Sequence, residues 1–224
     1  RGLILEGRAG PEATPEDEYA PNLRQLLSHR QSWAVIASRF FLDPVWWLFV
    51  SWLPIYLAET FGFDVKQIGA FGWVPYVGAM IGSLFGGWLS GALIRRGWSV
   101  GRARKSVIWL GAMIMLPALL LTIWAAEPLT AVLLIAVVLL GFQIAINNIQ
   151  SLPADYFSGK SVGALAGVSG TAAVTGVLLT TWLVPAVTKI SYAPIFAVAA
   201  ALVPLSVLSI QLLGGRVERV SARG

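Results

Sequence analysis

The chain has 224 residues, 57% hydrophobic and only 12% charged, with a formal net charge of +5 and a mean hydropathy of +0.74. Soluble domains carry about 25% charged residues, so this composition excludes an ordinary soluble domain, a disordered chain, a coiled coil and a basic nucleic-acid arm. Cysteine is absent and His29 is the single histidine, which excludes disulfides, thiolate catalysis and metal sites built from those residues.

The chain starts at Arg1, without Met or a signal peptide, and reads as a piece of a longer one. Residues 1–32 predict a cytoplasmic linker: Pro11, Glu12, Pro15, Glu16, Asp17, Glu18 and Pro21 form a solvated acidic stretch, and Leu23, Leu26 and Leu27 a short amphipathic helix leading into the membrane. Six apolar stretches then reach the length of about 20 residues that a membrane helix needs: Trp33–Ala58, Ile68–Leu93, Val107–Ala126, Ala131–Leu152, Val162–Val187 and Pro194–Leu213. They predict an all-α integral membrane bundle over 33–213, followed by a cytoplasmic tail at 214–224. Short links between them mean antiparallel neighbours. Arg1, Arg8, Arg24, Arg30, Arg95, Arg96, Arg102, Arg104, Lys105, Lys160, Arg216, Arg219 and Arg223 fall on one side, and Lys66 and Lys189 on the other. The positive-inside rule therefore places both termini and the 95–105 link in the cytoplasm. Six spans return the chain to its starting side, in agreement. The net positive charge is accounted for by this bias and by anionic lipid, without nucleic acid.

The first span carries the main anomaly, Arg39-Phe-Phe-Leu-Asp43-Pro44-Val-Trp46-Trp47. An ionisable residue in a span costs about 2.5–3.5 kcal/mol on insertion scales and faces a cavity or a partner. Four residues apart, Arg39 and Asp43 are neighbours on a helix. One reading is a structural pair, with Arg39 snorkelling to the surface. The other makes Asp43 a proton or substrate-hydroxyl site, helped by Pro44, which frees backbone groups at that depth. Trp46 and Trp47 suit an aromatic belt or helix packing, and a ring beside a polar cavity suits stacking on a sugar. Adjacent positions diverge by about 100°, so both are not expected on one narrow surface.

The second span repeats Gly78, Gly82 and Gly86, followed by Gly87 and Gly91, and the fifth opens with Gly163, Gly167, Gly170 and Gly176. Small residues at such spacing let backbones approach closely, and the two patterns suggest contacts to another bundle. Tyr76, after Pro75, is a cavity group or a packing ring. The fourth span ends in Gln143, Asn147, Asn148 and Gln150. Such amides bridge helices or bind sugar hydroxyls, and Asn147 and Asn148 are the stronger substrate candidates. Ser169, Thr171 and Thr175 are weaker, because hydroxyls bond their own helix backbone. No phosphate loop, catalytic triad or metal cluster is present in the sequence.

Gly87-Trp-Leu89-Ser90-Gly91-Ala-Leu-Ile-Arg95-Arg96-Gly97, followed by Arg102-Ala-Arg104-Lys105, resembles the loop signature of the major facilitator superfamily, which recurs between the second and third helices of each six-helix half. Its usual form has Asp where this chain has Gly91. The resemblance implies that the six spans are one half of a major facilitator fold, the C-terminal half, with Gly87, Arg95, Arg96, Gly97 and Arg102 forming a conformational gate loop. It also implies that the second and fifth helices face the N-terminal half. Asp43-Pro44-Val-Trp46-Trp47, Trp52-Leu53-Pro54-Ile55-Tyr56-Leu57, Ser151-Leu-Pro153-Ala-Asp155 and Gly163-Ala-Leu-Ala-Gly167 are similar to the anion:cation symporters of that superfamily, and within them to the hexuronate transporters. This implies proton-coupled symport of a sugar acid across the cytoplasmic (inner) membrane. The substrate and proton positions it implies are Asp43, Trp46, Trp47, Tyr76, Asn147, Asn148 and Ser169. It implies no cofactor and no metal, and no enzyme activity. The partners are a small organic anion, H⁺, membrane lipid and the N-terminal half. The alternative is a six-helix membrane scaffold or permease subunit without a substrate site of its own.

Overall fold

A computed structural model describes residues 21–188 and 191–220. The acidic stretch up to Glu18, together with Arg1, Arg8, Lys189 and Arg223, lies outside the described residues.

The described residues form helices α1 (Leu23–Ser28), α2 (Arg30–Phe61), α3 (Val65–Phe71), α4 (Val74–Arg95), α5 (Val100–Thr122), α6 (Pro128–Tyr156), α7 (Lys160–Val187) and α8 (Ala193–Leu213). Six spans are long and apolar enough to cross a membrane, with α3 and α4 together forming the second. That span is interrupted at Gly72–Trp73 because Pro75, in the first turn of α4, has no N–H to continue the ladder from α3. Several helices outrun the apolar stretches. Ser99 caps α5 by accepting from the Arg102 N–H, so Arg102–Lys105 are helical and the basic link shrinks to 96–99. Apolar runs mark the hydrocarbon-facing part of a helix, whereas caps mark its end.

The helices alternate in direction, so α2 begins and α8 finishes at one end, hereafter the basic end. Every described Lys and Arg except Lys66 and Arg39 belongs there. α6 packs on α4 and α5, and α2 packs on α7 and α8; α2–α6 and α5–α8 join the two groups. Exchanging α2 with α6, α3–α4 with α7, and α5 with α8 leaves this pattern of contacts unchanged. Since α2 and α6 run in opposite directions, the bundle is an inverted repeat of three spans.

Glycines set the close approaches. A Cβ at Gly78, Gly82 or Gly86 would collide with the α6 backbone at Ala136, Leu140 or Ile144. Gly176 of α7 is held in the same way against the Phe40 carbonyl of α2. That carbonyl has no i+4 N–H to accept from, because the residue there is Pro44. Gly111 and Gly141 meet reciprocally where α5 crosses α6: a Cβ on either would lie 2.5–2.6 Å from the other's carbonyl oxygen. The expectation that the glycines of the second and fifth spans face another bundle is therefore corrected for Gly78, Gly82, Gly86 and Gly176, which pack inside this one. Gly87, Gly163 and Gly167 meet open space instead.

α4 and α7 remain the least buried spans, with 28% and 22% of their most apolar stretches buried against 44–56% in the other four. At the basic end the flanking segments are docked. Leu26 of α1 is fully buried, and Ser161 at the start of α7 donates to the Pro21 carbonyl at 3.0 Å. The tail crosses the ends of α5 and α6. Tyr156 donates to the Gly214 carbonyl at 2.8 Å, and its own carbonyl accepts from the Val220 N–H at 2.9 Å.

Candidate substrate cleft

A cleft of about 490 Å³ opens between α2, α4 and α6, lined by Arg39, Asp43, Trp46, Trp47, Ser83, Phe142, Gln143, Ile146, Asn147 and Gln150. The α2 residues arrive by helical spacing. Asp43 is one turn beyond Arg39, and Trp46 and Trp47 straddle the direction of Asp43 at about −60° and +40°. The cleft is wide enough to take both rings, contrary to the expectation that only one would reach it. Asp43 lies thirteen residues into α2 and Gln143 thirteen residues before the end of α6. Both are therefore about 20 Å from the basic end, near mid-span.

Arg39 and Asp43 are paired, Nη2 to Oδ2 at 2.9 Å. The other terminal nitrogen of Arg39 donates to Ser169 Oγ at 3.3 Å, so Arg39 turns across to α7 instead of reaching for the surface. The pairing is one-point: Arg39 Nε and Asp43 Oδ1 are buried without a hydrogen-bond partner. A guanidinium and a carboxylate that share one bond each keep unused hydrogen-bonding capacity. Trp46 stacks on Phe142 with centroids 5.4 Å apart and meets the Tyr76 ring edge-on at 6.1 Å. Trp47 is 46% exposed and presents its ring openly.

On α6, Gln143, Asn147 and Gln150 are spaced i, i+4, i+7 and share one face. Asn147 donates to Ser83 Oγ at 2.8 Å. Asn148, one residue out of that phase, is 1% exposed and is turned toward α5. Its amide donates to the Ile144 carbonyl at 2.9 Å, and its oxygen accepts from Arg104 at 3.3 Å. Arg104 also reaches Ser90 at 3.1 Å and pairs with Asp155 at 3.1 Å. This network ties α4, α5 and α6 together below the cleft.

The structure thus gathers Asp43, Trp46, Trp47 and Asn147 in one cleft. Tyr76 braces Trp46, Ser169 braces Arg39, and Asn148 belongs to the Arg104 network. Of the gate-loop residues, Arg95, Arg96 and Arg102 are exposed. Gly97 has φ +87°, a left-handed turn that favours glycine, and Arg102 lies over the Trp98 ring at 5.1 Å.

A second cleft, about 380 Å³, opens at the opposite end beside Tyr56, Glu59, Thr122 and Tyr192. Its carboxylate, Glu59, accepts from the Tyr192 hydroxyl at 2.6 Å. Burial first, and then Glu59, raise the Tyr192 pKa and keep it protonated. Of these two clefts, the mid-span one combines an ion pair, a row of amides and an open indole.

No family model matches the chain. It is 30% identical over 179 residues to the hexuronate transporter of Escherichia coli strain K12, covering 79% of this chain and 41% of that protein. It is 28% identical over 222 residues to the D-galactonate transporter of Escherichia coli O6:H1, covering 98% of this chain and 51% of that protein. It is 34% identical over 94 residues to the galacturonate transporter of Dickeya chrysanthemi, covering 41% of this chain and 27% of that protein. The chain is a homologue of the sugar-acid transporters of the major facilitator superfamily. It is a multi-pass membrane protein, and it spans about half the length, or less, of these relatives.

Two features of this sugar-acid-transporter homologue escaped the reading of its residues. Arg104 and Asp155 form an ion pair, and the signal for it is the i, i+7 spacing of Asn148 and Asp155 on α6. Gln143 and Gln150, which the sequence ranked below Asn147 and Asn148, join Asn147 in the cleft through their shared helical phase, ahead of Asn148. The tail's docking left no signal, because a short polar segment has no periodicity.

Proposed function

We propose that this chain is the C-terminal six-helix half of a secondary active transporter that carries a hexuronate-like sugar acid in symport with H⁺ across the inner membrane, with both termini cytoplasmic. The observation that carries the proposal is the mid-span cleft, where Arg39, Asp43, Trp47 and three amides line one open surface. The inverted repeat of three spans supports it, because transporter halves of this superfamily are built that way, with substrate near the midplane. The open sides of α4 and α7 would face the other half.

In this reading Gln143, Asn147 and Gln150 take the sugar hydroxyls and Trp47 covers the apolar face of the ring. Asp43, while charged, repels a substrate carboxylate and occupies one edge of Arg39. Protonation of Asp43 removes the like charge and frees that edge for the substrate carboxylate, which couples binding to H⁺. The Arg104–Asp155 network and the Arg95–Arg102 turn would steady the basic end while the halves rock.

The competing reading is a scaffold without a substrate site, favoured by the Asn147–Ser83 bond, which spends an amide on helix packing. Proteoliposome uptake of glucuronate separates the two. The chain alone is expected to give none, and co-reconstitution with an upstream six-helix half is expected to give uptake that a proton gradient drives. Uptake by the chain alone would refute the half-transporter reading, and no uptake with any upstream half would favour the scaffold.

A further inference from the structure

A groove of about 330 Å³ lies at the basic end between the first turns of α5 and the tail, lined by Ser99, Gly101, Arg102, Lys105, Gly215, Arg216, Val217 and Glu218. Three cations from two separate segments surround it against one carboxylate. Each cation keeps donors for a ligand. The Lys105 ammonium donates one bond, to the Gly215 carbonyl at 2.7 Å, and has two hydrogens left. Arg102 has one face covered by Trp98 at 5.1 Å, which leaves its N–H edge open. The Arg216 side chain is exposed at the rim. The Val100 and Gly101 N–H groups belong to the first turn of α5, where an N–H has no partner within the helix. Gly101 is needed for the groove's shape: a Cβ there would lie 2.9 Å from Val217 Cβ, so a side chain would push the tail away.

Deeper along α5 than the groove lies an exposed apolar stripe. Trp109 and Met113, seven and eleven residues beyond Arg102, lie on the same face of α5 and are 43% and 67% exposed. At 1.5 Å per residue, Trp109 sits about 10 Å deeper than the cations. A phosphate held by Arg102, Lys105 and Arg216 would therefore have its acyl chains running along Trp109 and Met113. We propose that this groove is a binding site for the phosphate headgroup of an anionic phospholipid, held by Arg102, Lys105 and Arg216. A basic recess at the membrane surface is the chemistry that selects such headgroups. The site is independent of the mid-span cleft and stands whether or not the chain carries sugar acids.

The test uses the purified chain in detergent micelles, with phosphatidylglycerol, phosphatidylcholine of the same acyl chains, and inorganic phosphate as probes, and retained lipid read by native mass spectrometry. Phosphatidylglycerol is expected to bind and phosphatidylcholine to be lost. Arg102→Gln, Lys105→Gln and Arg216→Gln together are expected to weaken phosphatidylglycerol binding about tenfold or more, since each basic residue near the surface contributes. Lys105→Gln still offers a donor to Gly215. Arg95→Gln, Arg96→Gln and Arg219→Gln remove equal charge outside the groove and are expected to weaken binding less than about twofold. Should the groove triple variant fail to fold, Glu218→Gln is read instead. It removes the opposing carboxylate and is expected to tighten binding about threefold, a gain that misfolding does not produce. Equal loss in both triple variants, equal retention of the two lipids, displacement by inorganic phosphate at the lipid's own concentration, or no gain in Glu218→Gln would each overturn the proposal.

Discussion

Asp43 is 8% exposed, at a depth where an unpaired carboxylate is costly. Its single bond to Arg39 offsets part of that cost and leaves Oδ1 unused. Asp43→Asn tests whether the charge matters for coupling or only for packing. If Asp43 carries the coupling proton, the amide imitates its protonated form: hexuronate counterflow by the assembled transporter is expected to persist, while proton-driven accumulation falls about tenfold or more, the scale of one buried charge interaction. If the pair is only structural, the same change leaves Arg39 buried without its counter-ion, and the yield of folded protein falls instead. Counterflow and accumulation measured at matched expression decide it, and unchanged accumulation would remove Asp43 from the mechanism. The residues themselves announced the pair, because Arg and Asp one turn apart in an apolar run have few alternatives to each other. That Arg39 would lean on Ser169 was not legible, since it depends on which face of α7 meets α2.

At the scale of elements, the phase of each helix decides what its polar groups do. Gln143, Asn147 and Gln150 share a face of α6 and line the cleft, while Asn148 and Asp155 share another and hold Arg104. The spacing was readable, but nothing in one helix says which of its faces looks at a cavity and which at a neighbour. The glycines teach the same lesson. A small-residue stripe signals close approach, yet Gly82 touches α6 while Gly87, five residues on, meets open space. Gly82→Ala is therefore expected to destabilise the folded chain by roughly 1–3 kcal/mol, the scale of overpacking a tight interface, and Gly87→Ala by less than about 0.5 kcal/mol, as for other substitutions away from packed contacts. Thermal unfolding in detergent of the two variants side by side measures this. Equal losses would mean that the α4–α6 crossing is not where the structure has it.

For the whole molecule, the charge bias makes one expectation, that the basic end faces the cytoplasm. The chain has no cysteine, so a single introduced thiol reports its own side. Cys in place of exposed Lys66 is expected to react with a membrane-impermeant maleimide in intact cells, and Cys in place of exposed Arg219 only after permeabilisation. The reverse pattern would invert the topology and move the phospholipid groove to the outer leaflet.

The sequence alone determined the membrane class, the six spans, the clustering of basic charge at one end and the kinship with sugar-acid transporters. These rest on run lengths, composition and local motifs, which each segment carries without its neighbours. The tertiary structure alone decided that Asn147 and Asn148 part company, that Gly78, Gly82 and Gly86 close on α6 of the same bundle, and that tail and α5 together enclose a basic groove. Those outcomes depend on how far each helix is rotated about its axis and which helix it meets, and both are settled by the packing of all six spans at once.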